Sequence, residues 1–409
     1  MKILQVNKFN YPRGGADKYF LDLTEALKAT GHEVAVFSMQ HPNNLKSDWE
    51  KYFVSRLSFN ENLNIFNRLR MIMRVIYSFE AKRKFKALIN DFQPDIVHLH
   101  NIYHHISPSI LDVCRQKKIK VVMHLHDYKL VCPNHTMFVK GKHCQKCRGH
   151  RYFNCVKNRC LKDSFFASAL VALEMFIHHR VLKIYEKNIS LFISPSKYLR
   201  DVCLDFSWPE SKFRVIYNSY SNKLKENTDL DNLSITEDYL LYFGRLGAEK
   251  GISTLIKALK NNHENLKIVG EGEELEKLKL AAKDLGRRVE FLGYKEGKEL
   301  GALIKSAKAI VMPSIWPENM PLSLLEAMSL SKVVIASAVG GFPEIITDTK
   351  SGFLFQAGSS DSLNEKIELL KSSDLVAIGR EASLRVANLS PENNLEGVIK
   401  VYRELITSD

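Results

Sequence analysis

A chain of 409 residues, 45% hydrophobic and 26% charged, is long enough for two folded domains and too apolar to be disordered. Its formal charge of +13, from 59 basic and 46 acidic residues, points to anionic partners: nucleotides, lipid phosphates, a membrane surface or nucleic acid. The longest apolar stretch, 164–177, is too short to span a bilayer and contains Glu174. The N-terminus reads as a strand without an export signal, so the seven cysteines indicate a reducing, cytoplasmic compartment.

Residues 2–7 read as a buried strand, followed by a loop carrying Gly14 and Gly15, a helix from about 16 to 30, and a second strand, HEVAVFS. The glycine pair is not the G-x-G-x-x-G fingerprint, which disfavours a nicotinamide dehydrogenase. It is read either as a tight turn or as a place where backbone approaches a ligand closely. From Leu63 to Phe92 the pattern is helical and basic: a solvated face, with a membrane-surface helix as the alternative. The strands at 95–101 and 119–127 end in histidines. Ligands bind beyond the C-terminal strand ends of open parallel sheets, so His126 and Asp127 are the best-placed candidates, against a plain reading as satisfied core or loop residues. A cysteine- and lysine-rich insert at 128–163 breaks the rhythm, then come a long helical stretch at 164–188, a strand, a helix from Lys197, a strand at 212–220 and a polar linker at 221–238.

The second half repeats the strand–loop–helix order. Arg245 and Lys250 flank its first loop and suit a diphosphate at a helix start, or else form a solvated surface pair. Further on, Pro313 and Pro317 force an irregular loop after a strand, and Pro321 suits the first position of the helix LSLLEAMSL. Glu318 precedes that helix, and Glu326 follows two turns later. A helix start is an anion site, and carboxylates beside one suit a ligand with both phosphate and hydroxyls, such as a nucleotide sugar. Ser390-Pro391-Glu392 opens the last helix.

The spacing Glu318-x7-Glu326, the loop Pro-Glu-Asn-Met-Pro, the turn Gly-Gly-Phe-Pro-Glu at 340–344 and Phe-Gly-Arg-Leu followed by Lys-Gly together resemble the family-four retaining glycosyltransferases with the GT-B fold. Many members carry Glu-Gly-Phe-Gly where this chain has Glu-Asn-Met-Pro. The resemblance covers nearly the whole chain except the cysteine insert. It implies an α/β protein with two Rossmann-like domains facing a cleft: an acceptor domain at 1–220, a donor domain at 221–390, and a last helix, about 391–407, crossing back to the first. It implies retaining transfer from a nucleotide-diphosphate sugar to a glycan or lipid-linked acceptor, in surface polysaccharide synthesis. Arg245, Lys250 and the backbone at Asn319, Met320, Pro321 and Leu322 would hold the diphosphate, Glu326 the ribose, and Glu318 the sugar hydroxyls. Gly15 would supply close backbone contact, His126 would position the sugar beside Asp127, and the domains would close near Asn218. With no Asp-x-Asp motif near the site, no catalytic metal or other cofactor is expected. A GT-B nucleotide-sugar epimerase would share this donor site. A zinc-containing nucleic-acid-binding protein is disfavoured, because the basic residues are spread and no RNA-binding motif stands out. The charge and the basic helix fit an enzyme peripheral to the inner face of the plasma membrane.

Cys132, Cys144, Cys147, Cys155 and Cys160 fall within 29 residues. Cys144-x2-Cys147 and Cys155-x4-Cys160 could meet one tetrahedral zinc, with Cys132 as an alternate ligand and a structural role only. Disulfides and unligated thiols are the other readings.

Overall fold

The computed structural model describes residues 1–56, 65–220 and 238–407, with the side chains of 65–70 left out. The first sheet contains β1 (Lys2–Val6), β2 (Glu33–Phe37), β3 (Ile96–Leu99) and β4 (Lys120–His124). A small antiparallel hairpin, β5 (Phe138–Val139) and β6 (Lys142–His143), interrupts it before β7 (Leu191–Ser194) and β8 (Phe213–Val215). The second sheet contains β9 (Tyr239–Phe243), β10 (Asn265–Val269), β11 (Val289–Gly293), β12 (Ala309–Met312), β13 (Val334–Ser337) and β14 (Phe353–Phe355). Their orders are β2-β1-β3-β4-β7-β8 and β11-β10-β9-β12-β13-β14, and every pairing in both is parallel. Strands covered on both faces need near-continuous apolar sequence, which is why IVHL and AIVM are buried throughout. Strand order reverses between β1 and β3 and again between β9 and β12, so each sheet has a crevice at that switch point.

The helix Pro391–Thr407 lays Val398, Val401 and Tyr402 on Ile3, Ile96 and Val122 of the first sheet and on Tyr19 and Leu23 of the helix Gly15–Ala29. Nearly all of the linker at 221–238 lies outside the described residues.

Several local expectations change. The strand expected at 212–220 is only Phe213–Val215. The apolar stretch at 164–188 is not one helix: Phe165–Phe176 continues through an i→i+5 turn at Ile177–Val181, Lys183 breaks it at φ 49°, and Ile184–Asn188 follows. The basic stretch splits into Ile65–Ile76 and Phe79–Phe92, where Ser78 Oγ accepts from the Ala81 N–H as an N-cap. Its cations do not form one solvated face. Arg74 and Lys84 pair with Glu80, and Lys82 pairs with Asp112. The side chains of Arg68 and Arg70 lie outside the described residues.

Candidate active site

The second domain's wall starts where β12 runs into the proline loop. Pro321 is the cap of the helix Leu322–Ser329, not its first residue, because its backbone is extended (ψ 127°). No side chain caps this helix, so its first N–H groups face the cleft without a side-chain partner. The Gly-Gly turn lies backbone to backbone against the loop. The Gly341 N–H donates to the Glu318 carbonyl at 2.7 Å, and a Cβ at Gly340 (φ 61°) would lie 2.2 Å from that same oxygen. Only glycine fits there.

Glu318 is 7% exposed and accepts from Lys250 Nζ at 2.5 Å. Gly251 holds Lys250 in place, since at φ 67° a Cβ on it would sit 2.0 Å from the Pro313 carbonyl oxygen. Arg245 is more open: its side chain is 60% exposed and pairs with Glu249. Glu326, 8% exposed, accepts from Lys18 Nζ at 2.6 Å. Lys18 comes from the first domain's helix Gly15–Ala29, and the sequence reading missed it. The same helix start brings Gly15 to Leu322, where an added Cβ would meet Leu322 Cδ1 at 3.8 Å.

The first domain's wall is made by the strand ends and the loop after β4. Asn319 Nδ2 donates to the His126 carbonyl at 3.0 Å, Tyr128 OH to the Pro317 carbonyl at 2.6 Å, and Trp316 Nε1 to the Thr136 carbonyl. Asp127 accepts from the Lys129 N–H at 2.9 Å. Asn218 donates to the Met320 carbonyl at 3.1 Å. Glu344, which ends the Gly-Gly motif, accepts the Lys197 and Tyr198 N–H groups at 2.8 and 2.6 Å, so it caps a first-domain helix from across the cleft.

Alternate positions of β3 and β4 place His98, His100, His124 and His126 on one face, under the C-terminal helix. Gln5 Nε2 donates to Tyr402 OH at 3.2 Å, which leaves Gln5 Oε1 as the acceptor for His100 Nε2–H at 2.8 Å. His100 must then accept at Nδ1, from His126 Nε2–H at 2.9 Å. The network thus fixes a proton on His126 Nε2, so a neutral His126 has Nδ1 unprotonated. Burial pushes the His98 and His126 pKa values down to about 3, so both rings are neutral at physiological pH. Gln5, His100 and Tyr402 were not singled out from sequence, although the histidine alternation was visible.

Among the described residues, the one trio of candidate metal-ligating atoms within 4.8 Å of one another belongs to His98, His100 and His124. Both nitrogens of His100 are already engaged, so this is a hydrogen-bonded layer and not a metal cage. The five insert cysteines line one pocket and none is in a disulfide. Contact with Cys160 and burial push the Cys155 thiol pKa up, while contact with Cys155 and the charges of Lys140 and Lys146 pull that of Cys160 down.

Residues 13–221 match the family described as Glycosyltransferase Family 4, and residues 226–385 match the one described as Glycosyl transferases group 1. An uncharacterized 42.6 kDa protein in the cps region of Klebsiella pneumoniae is 28% identical over 359 residues, 84% of this chain and 87% of that one. The lipopolysaccharide 1,2-N-acetylglucosaminetransferase of Salmonella typhimurium is 29% identical over 212 residues, 47% of this chain and 55% of that one. Anabaena HepE in complex with UDP superposes with a TM-score of 0.68 at 17% identity, covering 99% of this chain and all of that one.

Proposed function

The chain belongs to the family-four glycosyltransferases of the GT-B fold, and on that footing we propose that it is a retaining enzyme taking its sugar from a nucleotide-diphosphate donor. The acceptor is a glycan or lipid-linked glycan of surface polysaccharide synthesis, in keeping with the similarity to the cps-region and lipopolysaccharide proteins. The observation that carries this reading is the pair of buried carboxylates, Glu318 and Glu326. Each is held by a lysine, Lys250 or Lys18, around a helix start that no side chain caps.

The donor diphosphate takes the N–H groups of that helix start, the backbone at 319–322, Arg245 and Lys250. Glu326 accepts from the ribose hydroxyls, and Glu318 accepts from the sugar. His126 accepts a sugar hydroxyl at Nδ1, Asp127 stands beside it, and Gly15 allows close backbone approach. The acceptor oxygen attacks the anomeric carbon from the face the diphosphate leaves. The departing oxygen takes the bonding electron pair and then the acceptor's proton. Positioning and charge stabilisation by protein cations carry the rate, and closure near Asn218 completes the site. Turnover is expected to persist in EDTA.

The enzyme works at the cytoplasmic face of an anionic membrane. The cysteine pocket is proposed to hold one structural zinc through Cys144, Cys147, Cys155 and Cys160, outside the chemistry. Elemental analysis of chelator-free protein is expected to give about one zinc per chain. Metal-free protein with an intact fold would remove the zinc. A screen of UDP-, GDP-, ADP- and TDP-sugars for thermal stabilisation, followed by nucleoside diphosphate release with a glycan acceptor, tests the main reading. Protein that binds none of these donors, or releases no diphosphate, would contradict it.

A further inference from the structure

The helix Phe165–Phe176 buries Val171, Ala172 and Met175 on one side, yet its other side is also apolar. Its one ionisable residue, Glu174, is fully buried, while Phe165, Phe166, Leu173 and Phe176 face solvent. Glu174 is held there by an ion pair with Lys129 Nζ at 2.8 Å and a hydrogen bond with His104 Nε2 at 3.2 Å. Burial alone would raise its pKa, but Lys129, His104 and His178 keep the carboxyl well below the ordinary range. The outward stripe is continuous. Phe166, Leu173 and Phe176 share one helical face. The i→i+5 turn that follows carries the stripe on to Val181.

Of the fifteen large apolar side chains exposed among the described residues, seven lie between Phe153 and Leu182, with Phe166 at 84%. Met73, on a helix packed against this one, is also exposed. Scattered exposed apolar residues need no explanation, but a cluster of this kind marks an interface.

Charge selects the partner. Between 151 and 187 the chain has seven Lys and Arg residues against three carboxylates. Glu174 is buried and Glu186 half-buried, so Asp163 is the one exposed acid in the segment. Arg151, Lys157, Arg159, Lys162, Arg180 and Lys183 are exposed around the apolar residues. Two copies of such a face would repel. Apolar side chains ringed by cations instead fit the headgroup region of an anionic bilayer.

We infer that the helix Phe165–Phe176, with the turn at 177–181 and the adjoining helix Phe153–Lys157, is the surface by which this protein docks on anionic lipid. This gives the membrane part of the proposed function its address, and rests on it. The docking helix is tied to the cleft through the Glu174–Lys129 pair, two residues from Asp127.

The test is flotation of the full chain with vesicles of phosphatidylethanolamine and phosphatidylglycerol, against vesicles of phosphatidylcholine alone. The wild type is expected to float with the anionic vesicles, less so at high salt. Phe166→Ser combined with Leu173→Ser should cut the bound fraction about tenfold at an unchanged unfolding midpoint. Arg180→Glu combined with Lys157→Glu should weaken binding most at low salt. Three results would overturn the inference: no flotation at low salt, a serine variant that floats like the wild type, or a wild-type dimer that the serine variant converts to monomer at unchanged flotation. Diphosphate release with a soluble acceptor separates the two proposals. Failed flotation with intact release removes the docking surface alone, and intact flotation without release removes the transferase reading alone.

Discussion

On the second domain's side of the cleft, the polar groups around Leu322–Ser329 are charged and already paired: Lys250 with Glu318, Arg245 with Glu249, and Lys18 from across the gap with Glu326. On the first domain's side, the equivalent strand ends carry four histidines that burial keeps neutral, three of which, His98, His100 and His126, are joined by hydrogen bonds to one another, Gln5 or Tyr402. A wall that must hold a diphosphate benefits from fixed cations and free N–H groups. A wall that orients neutral hydroxyls benefits from ring nitrogens whose tautomer is set from behind. Under the proposed function, the difference gives charge stabilisation to one domain and positioning to the other.

Variants can break that division. The largest effect should come from Gly340→Ala. The new methyl would sit 2.2 Å from the Glu318 carbonyl at φ 61°, so the loop must move or the domain fails to fold. Little folded protein is expected on purification, and a variant with normal yield and turnover would show that the backbone contact is dispensable. Next, Lys250→Ala strips the partner from Glu318 and should lower kcat/KM by about 100- to 1,000-fold. Steady-state kinetics against diphosphate release measures this, and normal turnover would remove the clamp.

His100→Phe tests the neutral wall. It leaves His126 in place but removes the acceptor that fixes its proton on Nε2. A fall of about tenfold in kcat with KM for the donor little changed is expected, together with an altered pH–rate profile. An unchanged profile would mean that the histidine layer is packing only.

The smallest effect is on stability. His98 and His126 have folded pKa values of about 3 against an ordinary 6.5. The unfolded chain therefore binds more protons between these limits, so stability is full above pH 6.5 and falls as pH drops toward 3. The described part of the second domain has one histidine, His263, so acid should loosen the first domain first. Hydrogen exchange at pH 7 and pH 5 would show this as selective loss of protection in β3 and β4. Equal loss in both sheets would erase the contrast.

The two parallel sheets were readable because apolar runs such as AIVM and turn glycines are local signals. The Glu318–Glu326 spacing was readable because one residue precedes and the other lies within a single helix. What sequence could not show were pairings across distance: Lys18 with Glu326, Gln5 with Tyr402, and Glu344 with the helix at Lys197. Composition also misled at the basic stretch, because Glu80 and Asp112 absorb Arg74, Lys82 and Lys84. In the apolar stretch, periodicity marks two helix faces but not which one is buried. Lys129, 45 residues upstream, decides that by drawing Glu174 inward.

The central claim is that a cation-lined donor wall and a neutral positioning wall act together on one anomeric carbon. It is tested most directly by the configuration of the glycoside product. The measurement is proton NMR of the anomeric signal during turnover with the donor that stabilises the protein, in the presence of EDTA. The same anomeric configuration as the donor is the predicted result; an inverted product would contradict it.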